Sequence, residues 1–244
     1  MTYRNRHECK FVVPESVAGH VLRRVMPYVA PDQHAAKRPD HSYSIASLYL
    51  DDDRRSLYRE TVEGMASRYK LRVRAYEDKP TAPVFLEVKR RHDRVVQKLR
   101  VAIPRQLLAA VLAGDAELVK LPNASPRQLA ALAEFSRLLH LRRATPCATV
   151  RYQRQAYVGL EDQEVRVTID RRLCVLPEHE PIVRVNDPGF VTVPTSGVIL
   201  ELKFTDRCPP WMVETMRVCD LRRRSFSKYC NALDALAARR TASL

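Results

Sequence analysis

Five short stretches of this chain place charged residues, mostly basic, two positions apart. Successive side chains of a β-strand point to opposite faces, so this spacing aims the charges of each stretch at one face. Lys70, Arg72 and Arg74, for example, share one face while the apolar residues between them share the other. The pattern predicts strands that bury one face and collect positive charge on the other. The five stretches are residues 6–10, 70–74, 87–91, 98–100 and 201–203.

Three of these stretches also contain a carboxylate, at Glu8, Glu87 and Glu201. Cations grip phosphate oxygens, and a carboxylate among them can ligate a divalent metal that binds the same oxygens. Glu201 is the strongest metal candidate, because apolar residues flank it and an unpaired charge there would be costly. For Glu8, an ion pair with Arg6 or Lys10 is an equal alternative. The expected cofactor is Mn²⁺ or Mg²⁺.

The charge balance indicates a polyanionic partner. The chain has 42 Lys and Arg against 28 Asp and Glu, a formal net charge of +14, which favours nucleic acid, a phosphate chain, a nucleotide or an anionic membrane surface. The sequence contains no helix-turn-helix, zinc-finger or RNP-like pattern. Aromatic residues make up only 7% of the chain and offer little surface for base stacking. We therefore expect no specific nucleic-acid partner.

The order of strand and helix signals predicts an α+β fold. Short polar connections favour antiparallel hairpins, and strand faces this charged cannot pack against each other, which favours a closed antiparallel β-barrel tunnel with helices packed outside. We expect one domain over residues 1–238 and a frayed tail over 239–244. The predicted strands are residues 3–13, 43–50, 67–76, 83–91, 95–103, 145–157, 164–170 and 198–204. The predicted helices are residues 14–25, 51–63, 104–113, 125–141, 209–221 and 225–238.

Cysteine usage predicts a cytoplasmic protein. The six cysteines form no C-x-x-C pair, and the sequence shows no signal peptide, which together indicate reduced thiols. No uncharged apolar run approaches the roughly 20 residues needed to cross a bilayer. The run Asp51-Asp52-Asp53 is interpreted as a helix cap rather than a metal site.

The order and spacing of these motifs resemble those of a known family. The chain is similar to the catalytic domain of the vacuolar transporter chaperone (VTC) complex, a polyphosphate polymerase, and through it to the CYTH-like triphosphate tunnel metalloenzymes. The resemblance runs from about residue 3 to residue 236. The matching pieces are R-x-E-x-K at residues 6–10, residues 47–51, K-x-R-x-R-x-Y at 70–76, residues 87–89, Lys98-x-Arg100, Tyr152-x-Arg154, Arg166 leading into Ile169-Asp170, residues 201–203 and residues 227–229.

The resemblance implies a tunnel that binds ATP and transfers its γ-phosphate to a growing polyphosphate chain with a divalent metal. The attacking group would be the terminal phosphate oxygen of the acceptor, with no protein nucleophile. The implied catalytic residues are Arg72, Arg74, Lys89, Arg166 and Glu201. The implied substrate-binding residues are Arg6, Lys10, Lys70, Lys98, Arg100, Arg154, Lys203 and Lys228. The candidate metal ligands are Glu201, Glu87 and Glu8.

One departure bears on the choice of activity. The hydrolytic branch of the superfamily opens with E-x-E-x-K, whereas Arg6 stands at the first acidic position here, which favours the polymerase-like branch. Two alternatives stay open: a tripolyphosphatase or nucleoside triphosphatase of the same superfamily, and a non-catalytic polyphosphate or nucleotide binder. The resemblance also leaves open a membrane-protein partner and the oligomeric state.

Overall fold

The computed structural model describes residues 6–92, 95–115 and 121–242. Ten strands and six α-helices form in these residues, with 3₁₀ turns at Met26–Tyr28 and Arg105–Leu107. None of the described helices combines the length and the apolarity needed to cross a membrane. The strands are β1 (Arg6–Val13), β2 (Val29–Pro31), β3 (Ser42–Asp51), β4 (Ser67–Ala75), β5 (Val84–His92), β6 (Val95–Ile103), β7 (Thr145–Gly159), β8 (Arg166–Pro177), β9 (Val191–Thr192) and β10 (Val198–Thr205). The helices are α1 (Glu15–Val25), α2 (Ser56–Val62), α3 (Leu108–Ala113), α4 (Pro126–Arg142), α5 (Pro210–Val218) and α6 (Lys228–Ala242).

The eight predicted strands and six predicted helices are confirmed, with shifted ends. Strand β6 has the predicted bounds, whereas β8 continues seven residues past the predicted end at residue 170. The two short strands β2 and β9 were not predicted, because segments of three and two residues carry too little alternation to be read. Helix α6 continues through Ala242, so the predicted frayed tail is wrong for residues 239–242, and residues 243–244 of that prediction lie outside the described part of the chain.

The chain divides into two compact units. The first unit comprises residues 1–43, 152–173 and 194–226, and the second comprises residues 44–151, 174–193 and 227–244. Strands β3, β7 and β8 each contribute residues to both units. The single domain over residues 1–238 stays a prediction.

The strands form an antiparallel sheet that is not closed into a barrel. Hydrogen-bonded neighbours follow the order β1-β10-β8-β7-β3-β4-β5-β6, with β2 beside β7 and β9 beside β8. Over the described residues, β1 and β6 are the two ends of this order, so the predicted closed barrel is wrong. Alternation tells which face of each strand is buried, but closure depends on pairing the first and last strands, which alternation does not specify. The coarser prediction of a mixed helical and antiparallel-sheet fold is confirmed.

The core of the second unit lies under one face of β3 to β6. Leu48, Leu71 and Leu86 come from three different strands and are almost completely buried. Helix α4 covers this face with an apolar stripe that includes Leu132 and Phe135. Because these strand residues occupy every second position, the charged residues between them must point to the opposite face.

The first unit repeats this arrangement with different elements. Phe11 of β1, Leu200 of β10 and Ile169 of β8 are fully buried in a cluster that also contains residues of α1 and α5. Trp211, at the start of α5, stacks on Tyr28 with ring centroids 5.0 Å apart. Trp211 also packs against the core cluster of this unit and so holds the start of α5 in place.

Asp51 closes the N-terminus of α2 and joins it to α6. Its carboxylate accepts the backbone N–H groups of Leu57 and Tyr58 at 2.9 and 3.0 Å, so the predicted capping role is confirmed. It also accepts a 2.6 Å hydrogen bond from the hydroxyl of Tyr229, which is buried near the start of α6. Burial, followed by the nearby Cys147 thiol and the charge of Asp51, raises the pKa of Tyr229, so the hydroxyl keeps its proton and donates.

Replacing Tyr229 by Phe should therefore destabilise the protein by about 1–3 kcal/mol, because a buried carboxylate loses a donor. Denaturant unfolding measures this change. Tyr58→Phe is the matched control, since it also removes a hydroxyl bound to a carboxylate, Asp234, but at an exposed position. Equal losses in the two variants would contradict a special role for the buried bond.

Candidate functional site

The second unit carries a face dominated by positive charge. It consists of the alternate residues of β4, β5 and β6 that do not enter the core, and we call it the second-unit charged face. Six cations and one carboxylate of this face are residues that the sequence predicted for the site, and their formal charges sum to +5. They are Lys70, Arg72, Arg74, Glu87, Lys89, Lys98 and Arg100.

Strand register orders these charges into rows. Arg72 lies opposite Glu87, and Glu87 lies opposite Arg100 on the far side. The next row lies two residues further along each strand and joins Lys70, Lys89 and Lys98. Directly opposite like charges are destabilising, so these rows need either the nearby carboxylate or an external anion.

Glu87 is completely buried within this face and surrounded by cations. One carboxylate oxygen receives the Arg72 guanidinium, with Nη2 at 2.6 Å and Nε at 2.7 Å, and lies 3.7 Å from Arg74 Nη2. The other lies 2.6 Å from Lys98 Nζ and 3.5 Å from Arg100 Nε. Four cations thus share one anion, and Glu87 has the contacts of a counter-ion.

Opposing effects set the protonation of this cluster. Burial acts to raise the pKa of Glu87, but Arg72, Arg74 and Lys98 outweigh it and hold that pKa well below the usual range. Burial lowers the pKa of Lys98 to about 7, with Arg74 and Arg72 adding to this effect against the pull of Glu87. The cluster therefore holds a firmly ionised carboxylate and a lysine that titrates near neutrality.

Aromatic and hydroxyl groups position the cations of this face. Arg72 Nη1 donates to the Tyr49 hydroxyl at 3.2 Å, and the Tyr49 ring stacks on Tyr229 with centroids 4.7 Å apart. Lys70 Nζ donates to the Ser227 hydroxyl at 2.8 Å, immediately before the predicted phosphate ligand Lys228 begins α6. The start of α6 thus packs beside the charged residues of β4.

The first unit has its own charged face on β1, β10 and β8. Register places Lys10 opposite Glu201, and Glu8 opposite Lys203, which in turn lies opposite Arg166. These residues alternate with the apolar positions that form the core of this unit. The sequence pattern predicted this face.

Among the charged side chains of β1 and β10 that the structure describes, Glu201 is the most buried, with 5% of its side chain exposed. Lys203 Nζ lies 2.6 Å from its carboxylate, and Lys10 Nζ and an Arg154 nitrogen lie at 3.8 Å. Lys10 also lies 3.2 Å from Glu8. A cation therefore stands between two carboxylates at this place.

Asp170 is a site residue that sequence reasoning missed. Its two carboxylate oxygens accept from Arg154 Nε at 2.6 Å and Nη2 at 2.7 Å, a bidentate pair with a fully buried acid. Burial acts to lower the pKa of Arg154, but the charge of Asp170 raises it well above its ordinary value. Asp170 follows Arg166 by four residues on β8, so the two side chains share one face of the strand. This even spacing is the sequence signal that could have found Asp170.

The predicted residues fall into two sets, one in each unit. The second unit holds its charged face together with Lys228, and the first holds Glu8, Lys10, Arg154, Arg166, Glu201 and Lys203. Arg166 is exposed. Arg151 lies on β7 with Arg154 but points to the opposite face, where it donates to the Val185 carbonyl. Arg6 begins β1, but its side chain lies outside the described residues. The catalytic, substrate-binding and metal roles assigned to these residues stay predictions.

Carboxylate oxygens that could hold a hard cation lie in the first unit. In the described part of the chain, no three His, Cys, Asp or Glu side chains group together as a complete metal site. Glu201 and Glu8 already flank one cation and present the oxygen donors that Mg²⁺ and Mn²⁺ prefer. Mg²⁺ commonly uses one or two carboxylates and takes its remaining ligands from water and phosphate, so this pair fits a divalent ion better than Glu87.

Comparison with known proteins identifies the family. A model of the VTC domain matches residues 5–237, so the chain belongs to the VTC domain family, which confirms the resemblance in the sequence. The comparison with curated proteins finds no match. One similar solved structure is a candidate adenylate cyclase from Bacillus halodurans, with 12% identity and a TM-score of 0.48; the match covers 91% of this chain and 95% of that one. Another is HpAC1 from Hippeastrum, which is described as having a dominant triphosphatase activity. It has 14% identity and a TM-score of 0.48, and the match covers 93% of both chains.

Glu87→Gln should destabilise the protein by about 3–5 kcal/mol, because it keeps the shape of the side chain but leaves buried cations uncompensated. Denaturant unfolding measures the loss, and added sulfate or phosphate should restore more stability to the variant than to the unmodified protein. Glu134→Gln is the control, because Glu134 pairs with Arg90 and Arg137 at an accessible position, where a pair contributes about 0–1 kcal/mol. Similar losses in both variants would contradict the counter-ion role.

The low pKa of Lys98 predicts that Lys98 takes up a proton when an anion binds. Above pH 7 the unliganded lysine is largely neutral, and a bound anion raises its pKa by favouring the charged form. The affinity for tripolyphosphate should therefore fall more steeply between about pH 7 and 9 in the unmodified protein than in Lys98→Arg, whose guanidinium stays charged. Calorimetry in two buffers of different ionisation enthalpy counts the protons, and equal uptake by the two proteins would contradict the prediction.

Proposed function

We propose that this chain is a metal-dependent polyphosphate polymerase, which transfers the γ-phosphate of ATP to the end of a growing polyphosphate chain. Membership of the VTC domain family supports this activity, together with the expectations drawn from the sequence. The substrate is a dense polyanion, and the product is a longer one. The protein would therefore need a surface that holds many phosphates at once.

The observation that carries the proposal is the second-unit charged face. Five net positive charges lie on three adjacent strands, and a fully buried carboxylate holds four of the cations. A face that keeps like charges this close gains stability when an anion binds among them. Arginine forks and lysine point charges are the groups that phosphate oxygens prefer.

The proposed transfer makes and breaks one kind of bond. The terminal oxygen of the acceptor chain attacks the γ-phosphorus of ATP, a new P–O bond forms, and the bond to the β-phosphate oxygen breaks with release of ADP. Arg72, Arg74 and Lys89 hold phosphate oxygens in line and offset the charge on the transferred group. Further phosphates of the polyphosphate chain are bound by Lys70, Lys98, Arg100 and Lys228.

The carboxylates proposed for a metal belong to the first unit. Glu201, with Glu8 beside it, would hold Mn²⁺ or Mg²⁺, which when bound supplies charge neutralisation at phosphate oxygens. Lys10, Arg154, Arg166 and Lys203 are phosphate ligands in the proposal. Asp170 orients the guanidinium of Arg154 through its bidentate pair.

Purified protein incubated with ATP and Mn²⁺ should form polyphosphate that an exopolyphosphatase removes. Glu201→Gln should lower the rate by about 10²-fold or more, the loss typical of removing a group that stabilises the reacting charge. The matched control is Glu214→Gln, which removes a carboxylate paired with Arg217 on exposed surface and should keep the full rate.

Two other outcomes would overturn the proposal. Orthophosphate as the only product would indicate a tripolyphosphatase or nucleoside triphosphatase. Binding of tripolyphosphate without turnover under any metal would indicate a polyphosphate or nucleotide sensor. An unchanged rate in Glu201→Gln would remove this residue from the metal role.

A further inference from the structure

One end of the second-unit charged face carries aromatic side chains. Register places Phe85 of β5 between Arg74 of β4 and Ala102 of β6. Phe85 and Glu87 are two positions apart on β5, so both side chains belong to this face. Tyr76 directly follows β4, and its ring meets the Phe85 ring edge-on with centroids 5.6 Å apart. An aromatic pair therefore lies beside the cations of the charged face.

Arg100 connects this aromatic pair to the charged cluster. Its guanidinium carbon lies over the Phe85 ring, 3.8 Å from the ring centroid. Its Nη2 donates to the Tyr76 hydroxyl at 3.1 Å, and its Nε lies 3.5 Å from the buried carboxylate of Glu87. Three groups thus hold one guanidinium, while 34% of the Arg100 side chain stays exposed. A planar cation is fixed here with part of its surface open to solvent.

A cavity of about 810 Å³ adjoins this end of the face. Ala102, which register places opposite Phe85, is part of its wall. The rest of the wall comes from the loop between β4 and β5 and from the end of β6 and the turn after it, and includes Pro83, Pro104 and Gln106. Small-molecule sites have volumes of about 300–1,000 Å³ and combine mostly apolar walls with a few polar groups. Neither the family motifs nor the proposed reaction assigns a role to Phe85 or to this cavity.

We propose that the Arg100 guanidinium, held against Phe85 and Tyr76, is a platform on which the base of a nucleoside triphosphate stacks, with the nucleoside extending towards the cavity. The inference rests on the proposed function, and it names the part of the site that binds the nucleoside rather than phosphate. The triphosphate lies over the adjoining cations of the charged face. Inorganic tripolyphosphate has no base and gains nothing from the platform.

The chemistry of the platform suits any nucleobase. Aromatic rings and guanidinium planes are the surfaces on which bases stack, and every base has a π-face to offer. Ordering a flexible arginine costs conformational entropy, but the contacts with Phe85 and Tyr76 already order the Arg100 guanidinium. Arg100 also keeps its proposed contact with phosphate, because guanidinium nitrogens donate in the plane of the group while a base lies on its flat side.

Calorimetry with ATP and with tripolyphosphate, both in EDTA so that no turnover occurs, tests the proposal. The ratio of the ATP affinity to the tripolyphosphate affinity should fall about tenfold in Arg100→Lys, which keeps the charge but has no planar group on which a base can stack. Phe85→Leu, which removes the ring behind the guanidinium but keeps an apolar side chain, should lower the ratio in the same direction.

Phe190→Leu is the matched control. It removes another ring that lies against an arginine, with the guanidinium carbon of Arg151 4.3 Å from the ring centroid, but neither residue belongs to β4, β5 or β6. The ratio of the two affinities should therefore stay the same in this variant. A fall as large as that in Phe85→Leu would overturn the proposal, because the effect would not depend on the charged face.

Two further results would count against the platform, and they are distinguishable. An unchanged ratio in Arg100→Lys and Phe85→Leu, whether neither affinity moves or both fall alike, would show that the aromatic pair only positions a phosphate ligand; the proposed polymerase would remain intact. If Phe85→Leu does not fold, the ratio in Arg100→Lys decides alone. Failure of the unmodified protein to bind tripolyphosphate would instead overturn the proposed function and the platform with it.

Discussion

The buried carboxylate of Glu87 is the interaction on which the second unit depends. Arg72, Arg74, Lys98 and Arg100 converge on it, and without it their mutual repulsion would oppose the pairing of β4, β5 and β6. One anion nevertheless cannot balance the whole face. The fold therefore holds these cations in fixed positions, and groups that are already ordered would lose little entropy on binding an anion.

The two units share one pattern of alternating strand residues but surround their acidic side chains differently. In each, alternate residues of antiparallel strands form a core while the others place an acid among cations. In the second unit the contacts of Glu87 are with cations. In the first, Glu201 shares Lys10 with a second acid, Glu8, and Asp170 holds Arg154. An acid beside another acid suits the capture of a cation, whereas an acid enclosed by guanidinium groups suits the capture of an anion.

The sequence predicted the faces of the strands better than the contacts between them. Period-two alternation locates Arg72 and Glu201 on charged faces, because it depends only on local geometry. The pairing of Arg154 with Asp170 depends on the register between β7 and β8, which the alternation within each strand does not contain. The start of α2 was misplaced because Asp51 caps the helix through a loop in which Arg55 takes a left-handed conformation, with φ of 54°. The closed barrel was wrongly predicted for the same reason, because closure also depends on which strands pair with each other.

The hydrogen bond between Tyr229 and Asp51 also has a consequence for synthesis of the protein. The two residues are separated by 178 positions, so a nascent chain exposes Asp51 long before its partner leaves the ribosome. Contacts of such high sequence separation form late, because a long loop must first close. During translation the strands around Asp51 can therefore pair before α6 has been made, and the Tyr49 ring stays uncovered until Tyr229 stacks on it.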